Sequence, residues 1–157
     1  TLGGLVKKRH NKLSLTSKGK QLYLDNDRFA LFKVIFETNF RKFNMGFHDL
    51  FPQEAQVQFL MGYTFYLLLR YGKTSRLLDF YVDKNLLAFP LILEDFNPDW
   101  TTPKQHYRHC YYSRIFDRFL AFYGFVEIEK TRIPNSFEER IEIRCTDLFY
   151  RILDFRR

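Results

Sequence analysis

The end of this chain repeats its opening, and that repeat limits what the chain can fold into more than any other feature. Near the start, Gly4-Leu5-Val6 is followed by Leu13-Ser14-Leu15-Thr16 and a short amphipathic stretch ending at Gln21-Leu22. Near the end, Gly124-Phe125-Val126 is followed by Ile143-Arg144-Cys145-Thr146 and a stretch ending at Arg151-Ile152-Leu153. Each copy reads as helix stop, strand, turn, strand, helix cap and helix. Glycine suits the positive-φ position just past a helix C-terminus. Alternating apolar and polar side chains suit a half-buried strand, and threonine suits a helix N-cap.

In the first copy the spacing predicts strands over Leu5 to Arg9 and Lys12 to Leu15, joined at His10-Asn11, where Asn tolerates left-handed backbone. Leu13 and Leu15 then share one face, and Lys12 and Ser14 the other. Thr16 caps a helix through about Leu24. Asp27 caps a longer one, Arg28 to Phe43, whose Phe29, Phe32, Phe36, Phe40 and Phe43 step by three and four and read as a core stripe. Pro52 opens a helix to Tyr71 that stops at Gly72. Apolar residues cover most of its circumference, so it is expected to be the most buried helix.

Thr74 is expected to cap a helix through about Val82, with one or two further turns from Lys84 to Leu93, bent near Pro90. Asn97-Pro98-Asp99-Trp100 reads as a loop. Thr102-Pro103 starts a long helix to Tyr123, stopped by Gly124. The second hairpin has strands Phe125 to Lys130 and Arg140 to Cys145, with a long tip from Thr131 to Glu139. Thr146 caps the last helix, and Asp147 suits its positive start. Leu2-Gly3-Gly4 reads as the end of a helix, so the chain is expected to be a piece of a longer protein. The fold class that follows is mainly α with two small antiparallel β-hairpins, divided into units 1–45 and 46–157.

Composition narrows the function classes. Aromatic content is high, 19% of the chain, supplied mainly by 19 Phe and 10 Tyr. No stretch approaches the length a membrane span needs. Val57 to Leu69 comes nearest and is interrupted by Gln58, Gly62, Tyr63 and Thr64. The basic N-terminus lacks the apolar run of a secretory signal. Two cysteines, Cys110 and Cys145, make no disulfide framework, so a reducing, cytoplasmic setting is expected. The net charge of +7 is uneven: residues 1–27 hold six Lys/Arg and two Asp, 28–100 hold eight of each sign, and 101–157 hold eleven basic and eight acidic side chains. The surplus sits with the two repeated segments, and a basic surface attracts polyanions.

With these parts laid out, Gly4-Leu5-Val6 through Leu13-Ser14-Leu15-Thr16-Ser17-Lys18-Gly19-Lys20 resembles the wing and following helix of MarR-like winged helix-turn-helix domains. Pro52 to Leu153 resembles a complete winged helix in the order helix, helix, helix, hairpin, helix. The whole arrangement is similar to the C-terminal regions of uncharacterised bacterial proteins of the plasmid ORF-three-like type. The resemblance implies a tandem winged helix whose first copy is incomplete. In DNA-binding members the helix before the wing enters the major groove and the wing touches backbone, which points here to Lys104 through Tyr123 and to the two hairpins. Two features depart from that pattern. Ile115, Phe116, Phe119 and Phe122 fit an interior better than a groove, and Glu127, Glu129, Glu138, Glu139 and Glu142 on the second wing would repel phosphate.

The candidate nucleic-acid contacts are therefore Lys7, Lys8, Arg9, Lys12, Lys18 and Lys20 around the first wing, beside His10, with Lys104 and Arg108 on the long helix. Lys18 and Lys20 stand near a helix N-terminus, where the dipole disfavours cations and a docked phosphate would relieve the conflict. Arg114 and Arg118 read as a solvated face with Asp117 nearby. His106, His109, Cys110 and Cys145 carry ligand atoms, but a closed zinc site needs four ligands and no second tight pair exists. Cys145 reads as a core thiol. No phosphate-binding glycine loop, nucleophile elbow or zincin pair is present, so no catalytic residue, metal or cofactor is expected. The expected partner is DNA, held through phosphates by the first wing. The alternative is a scaffold that binds another protein or a second copy of itself through the acidic wing and aromatic surfaces. No membrane association is expected.

Overall fold

The structure, a computed structural model, describes residues 3–47, 51, 55–96, 99–134 and 139–153. Leu2, Pro52, Asn97-Pro98 and the end of the second hairpin tip, including Glu138, lie outside the described residues. The chain divides into two compact units, Thr1–Asn44 and Met45–Arg157. It is mainly helical with two small antiparallel sheets, one of two strands and one of three.

The first unit contains β1 (Val6–Arg9), β2 (Lys12–Leu15), α1 (Ser17–Leu24) and α2 (Arg28–Lys42). His10 and Asn11 both have positive φ, 48° and 59°, the conformation a two-residue hairpin turn requires. Arg9 therefore pairs with Lys12, and Val6 with Leu15. Thr16 caps α1 by accepting the Gly19 N–H at 3.0 Å, and Asp27 caps α2 by accepting that of Ala30 at 2.9 Å. Along α2 the rings of Phe32, Phe36 and Phe40 stack in succession, 5.9 and 6.0 Å apart. The stripe expected as core is half open instead: Phe29 is exposed, and none of the α2 residues is fully buried.

The second unit begins with a 3-10 turn, Ala55–Leu60, that leads into α3 (Met61–Tyr71). Then come β3 (Arg76–Leu77), α4 (Leu78–Ala88) and a second 3-10 turn, Pro90–Asp95. α5 (Pro103–Tyr111) continues as a π-helix over Tyr112–Ala121, followed by β4 (Val126–Arg132), β5 (Glu139–Cys145) and α6 (Asp147–Leu153). β3 has no counterpart in the sequence pattern. Thr74 does not cap a helix. Two residues beyond it, the chain extends and pairs with β5, Arg76 opposite Ile143 and Leu77 opposite Glu142. α4 then runs unbroken to Ala88. The hairpin strands also run further than expected, because Arg132 pairs with Glu139 and the Lys130 ammonium lies 3.7 Å from the Glu139 carboxylate. The tip is correspondingly shorter.

The two repeated segments close in the same way. Gly124, at φ +70°, ends the long helix: its N–H reaches the Ala121 carbonyl at 2.9 Å, and the Phe125 N–H reaches that of Leu120 at 2.8 Å. Thr146 then donates its hydroxyl to the Gly124 carbonyl at 2.7 Å and its N–H to the Phe125 carbonyl at 3.0 Å. In the first unit Gly4 has φ +68°, and Thr16 donates its hydroxyl to the Gly4 carbonyl at 2.6 Å and its N–H to the Leu5 carbonyl at 2.9 Å. The threonine that caps the next helix thus also clamps the entrance of its own hairpin.

The core of the second unit is built on α5 and its π-helical continuation rather than on α3. Tyr107, Cys110, Tyr111, Arg114, Ile115, Phe116, Phe119 and Leu120 are buried there, whereas α3 leaves Tyr66 and Leu69 in solvent. Three consecutive buried residues, 114–116, span more than one α-helical face, and the wider π turn accompanies that broad burial. At the centre the Tyr111 hydroxyl joins three helices. It accepts from Asn85 Nδ2 on α4 at 2.8 Å and lies 2.8 Å from Thr64 Oγ1 on α3. The Thr64 hydroxyl donates onward to the Leu60 carbonyl at 2.9 Å, so the Tyr111 proton points to Thr64. Tyr111→Phe would leave a buried acceptor and a buried donor short of a partner. The expected loss is about 1–3 kcal/mol in denaturant unfolding, with unchanged circular dichroism. A wild-type midpoint would show that the hydroxyl is not structural.

Candidate nucleic-acid interface

On the first unit all six expected cations are exposed. The two-residue turn fixes their faces: Lys7, Arg9 and Lys12 share one with Ser14, while Lys8 stands on the other, opposite Leu13. Lys18 and Lys20 lie in the opening of α1, whose first turn contains no acidic residue. Among the described residues none of the six is paired with a carboxylate. The nearby Asp25 accepts from Gln21, and Asp27 is taken up as the cap of α2.

The second unit treats its cations differently. Lys104 meets Asp83 at 2.7 Å, and that hydrogen bond raises its affinity for the proton. Arg108 meets Asp79 at 2.8 Å and also reaches the Glu139 carbonyl at 3.4 Å. Both acids lie on α4, so the start of α5 is electrically matched to its neighbour. A cleft of about 440 Å³ opens there, lined by Asp79, Lys104, Arg108, His109 and Arg140 among others.

Arg114 and Arg118, expected on a solvated face, hold the backbone that precedes α3. Buried Arg114 donates to the Phe51 carbonyl, and Arg118 donates to those of Met45 and Phe47 at 3.1 and 2.9 Å. Gln58 ties down the same segment by accepting the Met45 N–H at 3.0 Å.

The second hairpin is less acidic in effect than in composition. Glu127 pairs with Arg144 at 2.6 Å, directly across the ladder. Glu129 and Glu142 stand opposite one another, a repulsive register offset by Arg140 at 2.7 Å and the Ser75 hydroxyl at 3.1 Å, both on Glu142. On the described part of this hairpin Glu127, Lys130, Glu139, Arg140, Glu142 and Arg144 are paired, whereas Glu129 and Arg132 have no ion-pair partner among the described residues.

No group of three or more His, Cys, Asp or Glu gathers to hold a metal ion among the described residues. His106 packs among the rings of Phe51, Phe96 and Trp100, with centroids 5.2, 5.5 and 5.5 Å away. Cys110 and Cys145 are buried free thiols. No helix among the described residues is long and apolar enough to cross a membrane.

Burial pushes the Cys145 thiol up to about 12 and raises Tyr81, Tyr107, Tyr111 and Tyr150 above the ordinary tyrosine range. These groups hold their protons far above neutrality, which is the opposite of a tuned acid or base. The folded state keeps those protons where an unfolded thiol (about 8.5) and unfolded phenols (about 10) release them. Their contribution to stability is therefore complete below about pH 8.5 and falls as pH rises through the folded values. The expected outcome is a cooperative alkaline unfolding in which tyrosinate absorbance and loss of helical circular dichroism rise together. Tyrosinate appearing fully while the helices persist would contradict it.

A scan against protein-family models finds no match to this chain, and no curated protein or solved structure matches it significantly.

Proposed function

We propose that this is a tandem winged-helix protein whose first wing binds nucleic acid through its phosphates. The element order of the second unit supports the winged-helix reading: helix, short strand, helix, helix, hairpin, helix, with the short strand zipped onto the hairpin. The clamp shared by Gly4 and Thr16 with Gly124 and Thr146 supports reading the first hairpin as a second wing. The observation that carries the function is the set of six exposed cations, Lys7, Lys8, Arg9, Lys12, Lys18 and Lys20, with no carboxylate partner among the described residues. Such cations displace counterions from a phosphate backbone and supply affinity without sequence preference. Lys104 and Arg108 add little to this interface while Asp83 and Asp79 hold them. The proposed role is binding rather than catalysis.

The test is anisotropy of a labelled duplex across a salt series. Lys7→Glu with Lys8→Glu is expected to weaken binding at least tenfold and to flatten the log–log salt slope by about two, near 0.9 for each phosphate no longer neutralised. Unchanged affinity and slope would sink the proposal.

One observation favours a second reading, a surface for another protein chain. Leu13 and Leu15 are 71% and 38% exposed, while the residues at the same register positions of the second hairpin, Ile143 and Cys145, are 0% and 8% exposed. The same inner face is covered in one copy and open in the other. Light scattering of the full chain over a concentration series is expected to show association that Leu13→Asp abolishes, and a monomer at every concentration with no co-purifying chain would count against it.

A further inference from the structure

Two sets of cations contrast in the second unit. Arg114 and Arg118 stand apart from both because they hold backbone carbonyls, and Lys73, Arg132 and Arg151 also have no carboxylate partner among the described residues. Around α5 and the wing, Lys104, Arg108, Lys130, Arg140 and Arg144 are each matched to a carboxylate. Around the end of α3, β3 and α4, Arg70, Arg76 and Lys84 are matched to none among the described residues. α4 itself separates the sets. Asp79 and Asp83 form the stripe that serves α5, and Phe80 and Lys84, one residue later, form a stripe rotated by roughly 100°.

Here the cations alternate with rings. Arg70 donates to the Tyr66 hydroxyl at 2.9 Å, and its guanidinium lies 5.4 Å from the centre of the Tyr71 ring. Arg76 lies over both Tyr71, at 5.6 Å, and Phe80, at 4.8 Å, with its Nε donating to the Tyr71 carbonyl at 3.4 Å. Tyr71 and Phe80 meet edge to face at 5.2 Å, and the Lys84 ammonium continues the series 5.8 Å from Phe80. Tyr66, stacked on Tyr63 at 5.9 Å, is 50% exposed. The carboxylate that β5 brings beside β3, Glu142, is already held by Arg140 and Ser75.

A guanidinium resting on a ring is ordered and partly stripped of water before any ligand arrives, yet its charge is not cancelled. Cations alternating with rings, beside the exposed ring of Tyr66, fit a chain that offers phosphates and unpaired bases together. A duplex offers only the phosphates. We propose that this ladder binds single-stranded nucleic acid, with Arg70, Arg76 and Lys84 on phosphates and Tyr66 stacking a base. The proposal goes beyond the first-wing reading and does not depend on it.

The test uses the full chain and a labelled oligothymidylate, with oligouridylate as the RNA arm, followed by anisotropy across a salt series. Replacing Arg70, Arg76 and Lys84 together by Gln is expected to weaken binding at least tenfold and to flatten the salt slope by about two, near 0.7 for each single-strand phosphate. Tyr66→Leu is expected to weaken binding about fivefold or more while leaving the slope unchanged, because it removes stacking and no charge. Circular dichroism checks folding, and if the triple variant is misfolded, Arg70→Gln alone, an exposed side chain, must lower the slope by about 0.7. Loss of oligonucleotide binding in these variants, but not in Lys7→Glu with Lys8→Glu, establishes the ladder whatever the first wing does. Wild-type binding in the ladder variants overturns it and leaves the first-wing reading standing. A duplex, or vesicles containing phosphatidylserine, bound as tightly and with the same dependence on Arg70 would also overturn it.

Discussion

The Tyr111 hydroxyl is the point on which the second unit turns. One buried oxygen accepts from α4 and donates to α3, so three helices far apart in sequence are fixed in a single arrangement. A buried hydroxyl is costly when left without a partner, and this one has two. The surrounding rings supply bulk burial, with Tyr111 stacked on Tyr107 and edge-on to Phe116. Bulk burial alone tolerates many packings, whereas the hydrogen-bonded chain from Asn85 through Tyr111 and Thr64 to the Leu60 carbonyl selects one. The positions of α4 against α5, and hence of Asp79 against Arg108, follow from that selection.

That arrangement in turn sorts the surface charge. α4 turns its two aspartates toward α5 and its Phe80 and Lys84 away from them, so one helix neutralises one neighbour and leaves another basic. The start of α5 is therefore electrically quiet. The first hairpin and the α3–α4 ladder are two places where clustered positive charge has no carboxylate partner among the described residues. Sequence composition suggests the reverse for the ladder, because residues 28–100 carry equal numbers of acids and bases.

What is legible in the sequence is local. The turn at His10-Asn11, the caps Thr16 and Asp27, and the stop at Gly124 each depend on a few neighbouring residues with restricted backbone preferences. β3 is invisible there because two residues carry no periodicity, and they extend only because β5 returns from far along the chain to pair with them. The pairing of Lys104 with Asp83 spans 21 residues and that of Arg108 with Asp79 spans 29, distances at which spacing has no predictive force. Arg114 departs from its expected solvated face for a related reason. A helix pattern marks where an arginine points, but not that the Phe51 carbonyl waits there to accept from it. The candidate site divides in the same way: exposure of the cations around the first hairpin follows from its short polar strands, and the ladder needs the tertiary fold.

The equal clamps at the base of the two hairpins have a geometric result at their tips. Each hairpin is held at its entrance by a threonine, and the second is also held along its length: β3 pairs with β5, the Lys130 ammonium lies 5.0 Å from the centre of the Tyr112 ring, and Arg108 reaches the Glu139 carbonyl at 3.4 Å. At about 3.3 Å per residue, the four-residue strands of the first hairpin extend roughly 13 Å, and the seven-residue strands of the second roughly 23 Å. The copies therefore differ in reach as well as in charge. A short arm that ends in unpaired cations suits contact close to the body of its unit. The longer hairpin is instead held against its own unit through β3, Tyr112 and Arg108, and most of its described charges are matched.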